Sequence, residues 1–164
     1  MTQGPDLRRS ARDAILAAFP DEPAPPPEAL RSDHCLECAE LGERFSGKAW
    51  SQLVAADLAG NPAVSLLTPA GFRYLLPAMM LLSMEHAHEL DCLPSSIVHS
   101  LSPSGGKAGA WLKAVLDGVS PEQVGAIVAF LRHHEALVLE DGPPVDESEL
   151  RVVTRAIRYL SGLA

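Results

Sequence analysis

The chain has 164 residues, 47% apolar and 21% charged, the balance of an ordinary packed globular protein. That length suits one domain, and a chain of this size buries roughly 70% of the surface its unfolded form exposes, so a core forms without disulfides or a structural metal. Lys and Arg number 13 against 21 Asp and Glu, a net charge of −8, and such a field repels phosphate backbones and anionic lipid, which argues against nucleic-acid and membrane partners.

The cluster Arg8, Arg9 and Arg12 is too small to reverse that field, which instead favours solubility and a basic protein partner. The N-terminus lacks the apolar stretch of a secretory signal. The most apolar run, Tyr74 to Met84, is eleven residues without a charge and contains Pro77, well short of the about 20 residues that cross a membrane. Three cysteines, an odd number, argue against a disulfide framework and for a reducing compartment. These signals together predict a cytoplasmic protein.

In chain order, residues 7–19 read as a helix, with Leu7, Ala11, Ile15 and Phe19 on one face and Asp6 placed to cap it. Pro20 to Pro27 holds five prolines in eight residues and reads as an extended stretch within a stiff connector over 20–31. A second helix is expected from Ser32 or Asp33 to Gly47, with Cys35, Cys38, Leu41 and Phe45 as its stripe. A short amphipathic helix follows around 51–59 and stops at Gly60-Asn61-Pro62. Thr68-Pro69 is a cap followed by a first-turn proline, and the apolar helix it opens is expected to run to about Asp91, kinked or broken at Pro77.

Cys92-Leu93-Pro94 is expected to close that helix, because the residue before proline resists the α conformation. Weaker helices are expected over 95–101 and 107–117, around a loop Ser102-Pro103-Ser104-Gly105-Gly106. Ser120-Pro121-Glu122-Gln123 is a capping box that starts a helix facing inward through Val124, Ile127, Leu131 and Val138. Asp141-Gly142-Pro143-Pro144 makes a turn, and Asp146 with Glu149 signals a last helix with Leu150, Val153, Ile157 and Leu160 inward and Arg151, Arg155 and Arg158 wetter. No run alternates with period two and nothing repeats at a solenoid period. The expected fold is all-α, a single domain over 1–164, an irregular orthogonal bundle of about six to eight helices.

The sharpest chemical motif is Asp33-His34-Cys35-Leu36-Glu37-Cys38. A Cys-x-x-Cys pair at a helix N-terminus supports thiol exchange, but the fold that normally houses it contains strands. The same pair supplies two zinc ligands; His88 and Cys92, four apart, share a face if their helix reaches Cys92, and the four would make a Cys3His site. The third reading makes Cys35 and Cys38 core residues, which their stripe with Leu41 and Phe45 also explains.

Other signals are weaker. His133 and His134 face different ways, with His134 on the apolar stripe as a core or boundary residue, and His86 and His88 lack the i, i+4 spacing of zinc proteases. Ser104-Gly105-Gly106-Lys107-Ala108 departs from a phosphate-binding loop, since alanine stands where a magnesium-binding hydroxyl belongs. Arg73 and Tyr74 open an apolar helix, where an arginine needs a partner: an acidic residue of the fold, or the anionic group of a ligand.

His34-Cys35-x-Glu37-Cys38-x-Glu40-Leu41, Phe45-x-Gly47-Lys48-x-Trp50 and Leu67-Thr68-Pro69-x-x-Phe72-Arg73-Tyr74-x-x-Pro77 together resemble a family of small uncharacterised bacterial proteins, a domain of unknown function. The resemblance covers roughly residues 30–82 and extends more weakly through the helix at Ser120-Pro121. Members often carry glutamate after Thr-Pro and a second tyrosine after Arg-Tyr, where this chain has Ala70 and Leu75. The resemblance implies one shared structural unit, with Trp50, Phe45 and Phe72 gathered around the cysteines, and implies no activity.

The candidate binding residues are therefore Arg73, Tyr74, Trp50 and His34, and the candidate metal ligands Cys35, Cys38, His88 and Cys92. The expected function is a non-catalytic interaction protein, an acidic helical partner of the accessory or immunity type acting on another protein, without a cofactor. The alternative is a zinc-binding or thiol-redox protein centred on Cys35 and Cys38.

Overall fold

A computed structural model describes residues 4–32, 36–45, 47–59, 64–90, 92–140 and 146–163. Among these residues the protein is all-helical. Its ten α-helices are α1 (Gly4–Ala18), α2 (Pro27–Leu30), α3 (Leu36–Phe45), α4 (Ala55–Leu58), α5 (Pro69–Glu85), α6 (Ala87–Leu90), α7 (Leu93–Leu101), α8 (Ala110–Leu116), α9 (Pro121–Glu140) and α10 (Glu147–Ser161). Helices α2, α4 and α6 have four residues each, and these single turns are what carries the number past the expected six to eight.

The buried residues form one core, built mainly around α5 and α9. Helix α5 contributes Phe72, Leu75, Leu76, Met79 and Met80, all fully buried, and packs against α7, α8, α2 and α1. Helix α9 lies between α1 and α10, which bury Ala11 and Ile15 from one side and Val153, Ala156 and Leu160 from the other. Helices α8 and α9 meet at a bend of 117°. No single helix among the described residues is long and apolar enough to cross a membrane.

Local capping chemistry explains where the long helices start. The Thr68 hydroxyl accepts from Gly71 N–H at 2.9 Å, Ser120 and Gln123 exchange reciprocal hydrogen bonds at 3.1 and 3.2 Å, and Asp146 accepts from the N–H groups of Ser148 and Glu149 at 2.9 and 3.0 Å. Each satisfies donors that a helix start leaves open.

Several boundaries differ from the sequence expectation. Pro27 is helical, not extended: it occupies a first-turn position, where its missing N–H costs nothing. The helix expected over 51–59 is split into a 3-10 turn at Trp50–Gln52 and α4, because Gln52 and Asp57 each accept from a backbone N–H three residues earlier, Ala49 and Val54. Helix α5 runs unbroken through Pro77, whose lost hydrogen bond is offset by burial of Leu75, Leu76, Ala78 and Met79 around it. It ends at Glu85, and the chain starts again as α6, with Glu89 and Leu90 N–H both turned onto the His86 carbonyl. Pro94 opens α7 instead of closing the helix before it, and α8 begins at Ala110 because a turn with Gly105 and Gly106 at positive φ occupies Ser104–Lys107. The expected turns at Gly60-Asn61-Pro62 and Asp141–Pro144 lie outside the described residues.

The end of α2 crosses close over the first turn of α5. A β-carbon on Gly71 would stand 2.2 Å from the Leu30 carbonyl oxygen, a distance that backbone cannot tolerate. Around it Thr68 N–H donates to Leu30 O at 3.1 Å and Ser32 N–H to Leu66 O at 2.9 Å. Replacing Gly71 with alanine must push α2 off α5 and should destabilise the fold by about 3 kcal/mol. Gly125→Ala, on an open face of α9 with nothing near its β-carbon, should instead stabilise by up to about 1 kcal/mol; urea denaturation midpoints of the two variants measure both.

Candidate functional site

Trp50, Arg73 and Tyr74 line one cleft, and Trp50 and Tyr74 are tied to the proline-rich connector. The Trp50 indole N–H donates to Pro20 O at 3.0 Å and the Tyr74 hydroxyl to Glu22 O at 3.2 Å and Lys48 O at 3.0 Å. Ser51 adds a hydrogen bond to Asp21 at 2.7 Å. A proline stretch has no ladder of its own, so these side chains supply the contacts that hold it on α5. Burial pushes the Tyr74 hydroxyl pKa up, and the Asp21 and Glu22 carboxylates add to that, which keeps the hydroxyl a donor. A cleft of about 390 Å3 remains between the connector and α5, lined by Pro23, Pro25, Trp50, Arg73, Tyr74 and Pro77.

Among the described residues Arg73 makes no ion pair with a carboxylate. Its guanidinium donates to the carbonyls of Ala114 and Val115, each at 3.5 Å, and to that of Asp117. These are orphan acceptors at the C-terminus of α8, where the helix dipole also favours a cation. Phe72 stands edge-to-face on Trp111, centroids 5.0 Å apart; Phe45 and Trp50 are buried as well.

The cysteine readings divide differently. His34 and Cys35 lie outside the described residues, and Cys38 is described in its backbone alone, within α3. His88 and Cys92 do not share a helix face: α6 stops at Leu90, Cys92 precedes α7, and both side chains are exposed. Among the described residues no group of three or more His, Cys, Asp or Glu is arranged to hold a metal ion.

A polar cluster that the sequence reading missed joins α7, α9 and α10. The Glu149 carboxylate accepts from the Ser95 hydroxyl at 2.6 Å and pairs with His134 Nε2 at 2.9 Å and His99 Nε2 at 3.1 Å. Burial pushes the Glu149 pKa up, but the donors of Ser95, His134 and His99 outweigh it and hold the carboxyl below its ordinary value. The serine donates straight to the carboxylate with no histidine between them, so this is a clamp and not a nucleophile–base relay. His134 is thus the boundary histidine that its position on the stripe suggested. Its neighbour His133 is the buried one, 4% exposed, with Nδ1 lacking a hydrogen-bond partner among the described residues. Desolvation, then the charges of Arg8 and His134, lower the His133 pKa and keep the ring neutral.

A groove of about 620 Å3 runs along α10. Pro103, Leu150 and Tyr159 give it an apolar lining, and Arg151, Arg155 and Arg158 line it as well. Arg151 pairs with Glu147 at 3.3 Å; Arg155 and Arg158 are exposed and make no ion pair among the described residues.

The model of a family of unknown function, DUF6714, matches residues 30–144. No curated protein and no solved structure matches the chain.

Two outcomes test these assignments. Tyr74→Phe removes both hydroxyl bonds to the connector and should cost about 1 kcal/mol. Glu149→Gln should cost about 2 kcal/mol at neutral pH, since it leaves three donors facing an uncharged group. A lowered carboxyl pKa stabilises the fold above the ordinary glutamate range, and that contribution disappears as pH falls through the lowered value. The difference between the Gln variant and the parent should therefore close in acid, as chemical denaturation over a pH series would record.

Proposed function

The chain belongs to the family of unknown function DUF6714, and we propose that it acts as a non-catalytic interaction protein that takes an acidic, amphipathic segment of another protein into the groove along α10. One observation carries this reading. Arg155 and Arg158 stand exposed and unpaired among the described residues beside an apolar lining, on a chain whose net charge is −8.

The local cations outweigh the global charge at short range. Exposed charges more than about 8 Å apart are screened at physiological ionic strength, so a segment seated in the groove feels the arginines first. Arg151, Arg155 and Arg158 recur at spacings of four and three, one helix face. A partner helix with carboxylates at the same spacing and leucines between them would set apolar residues on Leu150, Tyr159 and Pro103. The general negative field then acts as a filter, repelling acidic proteins that lack the apolar face.

Fluorescence anisotropy with a labelled synthetic helix of leucine and glutamate at that spacing tests the reading, with its lysine counterpart as control. The acidic helix should bind, weaken as salt is raised, and lose at least about tenfold in affinity to the variant Arg155→Glu/Arg158→Glu. Equal binding of the two peptides, or a variant that binds as the parent does, would overturn the assignment.

A further inference from the structure

The proline segment that Trp50 and Tyr74 hold in place also has an outward side. A polyproline II helix repeats about every three residues, so Pro20, Pro23 and Pro26 fall on one face of it, and all three are exposed. Pro26 has φ −61° and ψ 150°, within that conformation. Ala24 and Pro25, on the other faces, are half-buried. We propose that this segment is a preformed recognition motif for a second protein, one that presents an aromatic-lined groove with a lysine- or arginine-bearing rim to Pro20, Pro23 and Pro26.

Each part of that partner description follows from the segment. Prolines three apart dock into grooves lined by aromatic side chains, which read the polyproline II shape. The Trp50 indole bond to Pro20 O at 3.0 Å and the Tyr74 hydroxyl bond to Glu22 O at 3.2 Å fix the segment from behind. The carbonyls of Pro23, Ala24 and Pro25 accept no hydrogen bond among the described residues, which leaves acceptors for the partner's donors. Asp21 and Glu22 are exposed and make no ion pair among the described residues, so a cationic rim complements them. The cleft of about 390 Å3 between the segment and α5 gives one ring of the partner room to reach in beside Pro20 and Pro23. A loose segment loses conformational freedom when it binds; here the fold has already ordered it, so that cost falls on folding and not on association. This surface is independent of the α10 groove and of the acidic partner proposed for it.

The probes are two recombinant proline-binding domains, one of the SH3 and one of the WW type, chosen with lysine or arginine beside the aromatic groove. Each is titrated calorimetrically against the full chain and against a free peptide of residues 19–27. At least one domain should bind the full chain about tenfold more tightly than the peptide, because the fold orders the segment beforehand. Pro23→Ala/Pro26→Ala, at two exposed positions, should abolish that binding while the circular dichroism spectrum stays that of the parent. Glu22→Lys should weaken binding and flatten its dependence on salt. Tyr74→Phe, which releases Glu22 O, should bring the affinity of the chain down towards that of the peptide. Absence of binding by both domains, or a free peptide that binds as tightly as the full chain, would refute the proposal. So would a folded Pro23→Ala/Pro26→Ala variant that binds as the parent does.

Discussion

The contact on which the rest of the fold depends is the crossing of α2 over the first turn of α5, where the Leu30 carbonyl sits in the space that any side chain at residue 71 would fill. Glycine there lets two backbones approach to a distance that packed side chains never allow. Thr68 seals the crossing from its own side: its N–H donates to Leu30 O, and its hydroxyl donates to Ala29 O while accepting from Gly71 N–H. The start of α5 is thereby fixed in position and rotation. The three residues that follow each hold a different element: Phe72 meets Trp111, Arg73 caps α8, and Tyr74 ties down the connector.

The polar residues inside this structure serve mainly as ties between helices. Arg73 closes the end of α8, Lys48 holds Asp57 at 2.7 Å beside α4, and Glu149 draws Ser95, His99 and His134 together. At Asp57 burial raises the carboxyl pKa, but the Lys48 ammonium and the Val54 N–H more than offset it. Such ties are consumed by the fold, because a buried charge without a partner costs more than the pair contributes. Among the described residues, Arg155 and Arg158, exposed on α10 without an ion pair, stay available for recognition. A partner seated along α10 would meet those two side chains first.

The family match over residues 30–144 takes in the α2–α5 crossing, the connector's anchors Trp50 and Tyr74, and the histidines of α9. Helices α1 and α10 lie outside the matched segment, yet both are packed along α9 and bury its two sides. The α10 groove therefore joins parts of different standing, since Pro103 and Gly106 belong to the matched segment and the arginines do not.

What the sequence determined by itself is what short stretches of chain encode. Thr68-Pro69, Ser120 with Gln123, and Asp146 announced helix starts because a capping group reaches only two or three residues along the chain. The all-helical class and the inward stripe of α10 follow from periodicity, which is equally local. Tertiary structure alone decided the long-range partners of the polar side chains. Arg73 meets carbonyls 41–44 residues away, and Glu149 meets side chains 50 and 54 residues earlier. Sequence position put His134 on the apolar stripe, but packing buried its neighbour more deeply. Pairing at that range depends on where the chain returns, and that is set by the packing of whole helices, which no window of neighbouring residues contains.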